Sequence, residues 1–119
     1  MKNKVLERKD FLNLLSKNKG IKKRDFIINK ASKKDIDAVS EICQNLLHGN
    51  IKVNNRSLKN LYKCRHDIRQ IADKKLHHSD KRKIISQRGG FLSVLIPAAI
   101  EAVSALIKII KSKKKYKKK

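Results

Sequence analysis

Apolar positions recur at three- and four-residue steps along most of this chain, so the pattern predicts helices almost throughout. Val5, Leu6, Leu12 and Leu15 mark a short first helix ending near Lys17, with Gly20 behind it. The stretch 21–30, IKKRDFIINK, is basic with a small apolar patch and reads as a helical turn or an arm. Ser32 with Asp35 three residues on is a variant of the capping box. The helix they open runs to about His48 and stops at Gly49. Its stripe is Ile36, Val39, Ile42, Cys43, Leu46 and Leu47. A short link, Asn50 to Asn55, leads to the longest soluble helix. Leu58, Leu61, Tyr62, Arg65, Ile68, Ile71 and Ala72 share one face of it. Ser79-Asp80 begin a further short helix, closed by Gly89. The two striped helices can pair as an antiparallel hairpin, each covering the other's apolar side. The fold class expected is therefore all-α, a small helical hairpin or bundle with basic arms and a hydrophobic C-terminal helix. A chain of 119 residues supports a thin core, so folding is expected to be marginal without a partner.

The pattern changes at Gly89-Gly90. Residues 91–110, FLSVLIPAAIEAVSALIKII, are apolar almost without interruption. Their large apolar side chains contribute roughly −3 to −7 kcal/mol toward membrane insertion. Glu101 at the middle costs about 2–3 kcal/mol if charged, and Pro97 and two serines cost more, so spanning is marginal. Ser93, Pro97, Glu101, Ser104, Lys108 and Lys111 fall on one narrow polar stripe. Three fates fit such a helix: lying in a membrane interface, spanning with the stripe toward a partner, or packing against the upstream helices. Phe91, Leu92, Leu95, Ile96, Ile100, Val103, Leu106, Ile107 and Ile110 are the side chains that would engage lipid. The closing KSKKKYKKK would add attraction for anionic headgroups.

Charge reshapes the reading of the helices. The formal net charge is +22. Residues 1–90 alone hold 24 Lys and Arg against 9 Asp and Glu, a net +15. Acids are too few to supply the i,i+4 pairs that solvated helices use, so a polyanion is the expected partner. The candidate contacts are the clusters Lys22, Lys23 and Arg24; Lys33 and Lys34; Lys74 and Lys75; and Lys81, Arg82 and Lys83. Lysine dominates arginine, which favours sequence-independent neutralisation of duplex DNA phosphates over bidentate base reading. The few aromatic residues, Phe11, Phe26, Tyr62, Phe91 and Tyr116, argue against a stacking platform for single strands. The Lys22 cluster and the tail also match nuclear import signals. Five segments result: a basic N-terminal arm with a short helix (1–30), a basic helical region (31–88), the Gly-Gly junction (89–90), the hydrophobic helix (91–110) and the lysine-rich tail (111–119).

Catalytic and metal chemistry find little support. Cys43, His48, Cys64, His66, His77 and His78 follow no CxxC or HxxxH spacing, so no metal or other cofactor is expected. Cys64 and His66 stand two apart on a helix and point to different faces. Two cysteines fit a reducing compartment better than a disulfide scaffold. No Ser/His/Asp or Cys/His arrangement is recognisable, and a non-enzymatic protein is expected.

Gln87-Arg88-Gly89-Gly90-Phe91 resembles the cleavage site of adenovirus-type cysteine proteases, which cut after a Gly-Gly pair. A tight tunnel around the scissile bond would admit residues without Cβ. The stretches AVSEICQNLLHGNI, IRQIADKKL and KRKIISQRGGFLSVLIPA resemble the small basic proteins of adenovirus-like Polinton/Maverick transposons and adintoviruses. They resemble the adenovirus core protein X precursor more distantly. The resemblance implies a DNA-condensing protein of a virion core or nucleus, matured by cleavage between Gly90 and Phe91. The other expectation is a membrane-anchored or membrane-active protein working through 91–110 and its lysine tail.

Overall fold

The computed structural model describes residues 4–117, with side chains described as far as Leu106 and at Lys108. Eight α-helices follow one another: α1 Lys4–Glu7, α2 Lys9–Lys17, α3 Ile21–Lys30, α4 Lys33–Leu47, α5 Asn55–Lys63, α6 Arg65–Ala72, α7 His78–Arg88 and α8 Leu92–Lys117. A 3-10 turn, Gly89–Phe91, joins the last two. No strand occurs among the described residues, and the all-α expectation holds.

Local chemistry sets the boundaries. The Ser32 hydroxyl accepts from the Asp35 N–H at 3.2 Å, and the Asp35 carboxylate accepts from the Ser32 N–H at 3.0 Å. This reciprocal pair satisfies two donors that the start of α4 leaves orphaned. Gly49 follows α4 with φ of +76°, a conformation that costs a residue without Cβ little. Asn54 caps α5 by accepting from the Ser57 N–H at 2.8 Å.

The helices pack as three main pairs, α2 with α8, α3 with α7, and α4 with α6, and α1 lies on α4. Ile36, Val39, Ile42 and Cys43 of α4 are buried at the centre, against Ile68, Ile71 and Ala72 of α6. The stripe of α4 is thus used as its spacing predicts, except that Leu47 is exposed.

Two expectations change, and the structure selects one of the three fates open to segment 91–110. The helix expected over 55–72 breaks at Cys64, where φ is −101° and ψ is 13°. The break lets α6 lie along α4 while α5 rests chiefly on α6, so Leu61 is buried but Leu58 and Tyr62 face solvent. Residues 1–30 do not form an arm over the described part. Val5, Leu12, Leu15 and Ile28 have their side chains in the core. The hydrophobic segment supplies that core with Phe91, Leu92, Leu95, Ile96 and Ala99. It is the apolar wall on which α2 packs, which gives the first three helices a reason to fold back.

Candidate nucleic-acid interface

The ten cations expected to meet phosphate divide by direction. Arg24, Lys81 and Arg82 turn inward, a correction to the reading of their clusters. Arg24 is 4% exposed. Its Nε donates to the Ile85 and Ser86 carbonyls at 2.8 and 3.1 Å, and its Nη1 donates to the Lys19 carbonyl. Arg82 is half-buried, and its Nη1 donates to the Ile28 carbonyl at 2.8 Å. Arg24 of α3 therefore closes the last turn of α7, and Arg82 of α7 closes the last turn of α3. The two helices are antiparallel and clasped at both ends. Helix C-termini carry unsatisfied carbonyls and a partial negative charge, so a cation is favourable there even without an acid.

Lys81 repeats the device at one remove. Its Nζ donates to the Ser40 hydroxyl at 3.0 Å, and that hydroxyl donates to the Ile71 carbonyl at 2.7 Å. Gln44, one turn along α4, donates to the Ala72 carbonyl at 3.0 Å. Ser40, Gln44 and Lys81 together close α6. Burial pulls the Lys81 ammonium below its usual value, against the opposing pull of nearby Asp37, Asp73 and Cys43. Burial also lowers Arg24. Cys43 lies in the same interior, where burial pushes its thiol up to about 12 despite Lys81. Its apolar surroundings make it a core residue. Among the described residues no cluster of metal-ligating side chains forms.

The other seven candidates, Lys22, Lys23, Lys33, Lys34, Lys74, Lys75 and Lys83, are exposed. They lie on the first turns of α3 and α4, the link after α6, and the middle of α7. Lys33 and Lys34 stand at the positive end of α4, where the helix dipole repels them. Lys33 and Arg82 also come near His78. Burial lowers the His78 imidazole first, and His77, Arg82 and Lys33 lower it further against Asp37. The starts of α4 and α7 thus come together, with cations and acids of both helices close by. Of the acids there, Asp35 caps α4 and lies 3.9 Å from Arg8, and Asp37 faces Lys81 and His78. Chemically, such a surface can neutralise phosphates from several sides.

The junction is folded. Gln87 and Gly90 are exposed, whereas Gly89 and Phe91 are buried, so the site is not the open turn that its composition suggests. A Cβ on Gly89 would lie 3.3 Å from Ile85 Cγ2 and 3.4 Å from both Arg24 Cδ and Leu92 Cδ1. The absent side chain leaves room for Ile85, Leu92 and the Arg24 stem to pack closely at the end of α7. The Gly90 carbonyl accepts from the Ser93 hydroxyl at 3.0 Å, which ties the Gly-Gly pair to the start of α8.

Of the residues expected to meet lipid, Phe91, Leu92, Leu95 and Ile96 are buried, and Ile100 and Val103 pack on the core from its edge. Leu106 is exposed. The side chains of Ile107 and Ile110, and the basic side chains of the tail, lie outside the described ones. The polar stripe faces water at Pro97, Glu101 and Lys108. The stretch His78–Leu106 is long and apolar enough to cross a membrane by length and composition, a test that a core helix also passes.

Arg56, Lys59, Lys63 and Arg65 are exposed cations that adjacent doublets do not reveal. Their signal was a different one, the absence of any acid between Glu41 and Asp67. No protein-family model matches the chain, and no curated protein and no solved structure matches it.

Proposed function

We propose that the protein is a non-enzymatic, sequence-independent binder of duplex DNA that condenses the genome of a virus-like element. The observation that carries this reading is the set of seven exposed lysines on separate elements of a chain of net charge +22. Exposed lysines on several elements can neutralise phosphates without reading base sequence. The test is a titration of duplex DNA at several salt concentrations. Neutralising roughly 6–10 phosphates should give a log–log slope of about −5 to −9. A flat slope, or preference for one sequence, would sink the reading.

Processing after Gly90 belongs to the same proposal, and the folded junction sets its condition. A protease that binds its substrate extended has to open the 3-10 turn and withdraw Phe91 from the core. An adenovirus-type protease should therefore cut a short peptide spanning 84–96 faster than the intact chain, and both at Gly90-Phe91. Mass spectrometry of the products checks this, with Gly90→Ala as the uncut control. Equal rates for peptide and chain would remove the condition.

The second reading is a membrane-associated protein. The exposed Leu106 and the apolar length of α8 favour it. It calls for helix 91–110 to leave the core and bind anionic vesicles. Binding without loss of the folded core would favour the tail alone as the lipid contact.

A further inference from the structure

The break at Cys64 leaves α5 with an outer face that no other part of the described structure uses. Leu61 is its one buried side chain. From Leu58 the surface runs through Tyr62 to Lys59, Lys63 and Arg56 at successive helical positions. Tyr62 is 63% exposed and Leu58 is 49% exposed. The Arg65 guanidinium lies over the Tyr62 ring, 4.2 Å from its centroid, and its Nη1 donates to the Tyr62 carbonyl at 3.0 Å. One face of the ring is therefore backed by a fixed cation and the other is free. No acid occurs between Glu41 and Asp67, so nothing within this stretch of chain offsets these charges.

We propose that α5 and Arg65 form a subsite for an unpaired nucleotide, resting on the polyanion-binding reading above. A base stacks on the free face of Tyr62, and Arg56, Lys59 and Lys63 hold the phosphates on either side. The three cations stand at steps of three and four residues, so they form one ridge of about 10 Å at the helical rise. Duplex DNA keeps its bases stacked on one another, so it can use the ridge and not the ring. A single strand can use both. The aromatic count argued against a stacking platform, but one base needs one ring, and the structure sets this ring outward beside a row of cations. An anionic membrane is the less fitting partner, because two apolar side chains offer little area to insert.

The chain contains no Trp and two Tyr, so Tyr62 can be read by its own fluorescence in a Tyr116→Phe background. Adding oligo(dT) of twelve nucleotides to that full-length protein should quench the Tyr62 emission. Duplex DNA of the same length should bind with much less quenching. Tyr62→Ala should weaken oligo(dT) binding about tenfold and leave duplex binding within about twofold, and Tyr62→Phe should retain both. Lys59→Ser with Lys63→Ser should weaken both ligands and make the salt slope shallower by about 2. Equal quenching by duplex and single strand, or equal losses in Tyr62→Ala, would overturn the subsite while leaving general DNA binding standing. So would a Tyr62→Ala loss confined to anionic phosphatidylserine vesicles. Failure of every DNA to bind would instead overturn the reading on which the subsite rests.

Discussion

A chain ended at Gly90 should lose its cooperative thermal transition. Among the described residues, five of the 21 buried apolar ones, Phe91, Leu92, Leu95, Ile96 and Ala99, lie beyond that point. At about 1.5–3 kcal/mol for each large side chain, the four largest contribute roughly 6–12 kcal/mol of burial. That equals the whole stability of an ordinary small domain, about 5–15 kcal/mol. The loss is larger still, because α2 packs on α8 and its Leu12 and Leu15 would be uncovered. Circular dichroism at 222 nm against temperature checks the claim. A chain ended after Lys108 is the control, and it should melt cooperatively because it keeps Phe91, Leu92, Leu95, Ile96 and Ala99. The opposite result, a chain of residues 1–90 that melts like the whole, would mean that α8 is dispensable and free to act elsewhere. The truncated chain should still bind duplex DNA with a steep salt slope, since its net +15 survives unfolding. Folding and phosphate neutralisation would then be separable properties of the one chain. Cleavage after Gly90 would act on the first and spare the second.

Signals confined to a few neighbouring residues were legible in the sequence. The capping box at Ser32 and Asp35, the stop at Gly49 and the end of α7 at Gly89 each depend on chemistry within one helical turn. The break at Cys64 was not legible, because the apolar spacing of Leu61, Ile68 and Ile71 fits one straight helix as well as two. What decided it was the fit of α6 along α4, a tertiary effect. The direction of a cation was equally hidden, since Lys22, Lys23 and Arg24 look alike as a cluster. A weak cue did exist. Arg24 stands four residues before Ile28, and Lys81 four before Ile85, so each shares a face with a buried isoleucine. The fate of segment 91–110 turned on the same kind of information. Its composition suits lipid and protein interior alike, and only the partner surface of α2, which is distant in sequence, distinguishes them.

The two kinds of cation should separate cleanly on substitution. Arg24→Ala removes the donor that serves the Ile85, Ser86 and Lys19 carbonyls and leaves a void beside Gly89. Buried acceptors left unpaired cost about 1–3 kcal/mol each at most, and Ile85 keeps a bond from the Gly89 N–H. A net loss of about 3 kcal/mol is expected, or a fall in Tm of about 10 °C. Arg24→Met keeps the stem that packs on Gly89 and should recover part of that loss, which isolates the hydrogen-bonding share. Duplex affinity, measured well below the lowered Tm, should stay within about twofold for either variant, because the guanidinium never faced solvent. Lys22→Ser with Lys23→Ser should do the reverse. Both side chains are exposed at the start of α3, so Tm should hold within a degree or two while the salt slope becomes shallower by about 2. Thermal melts and salt-dependent DNA titrations on the same four proteins decide the matter. If Arg24→Ala lowers affinity as much as the lysine pair at an unchanged Tm, Arg24 binds phosphate and the clasp between α3 and α7 is not its role.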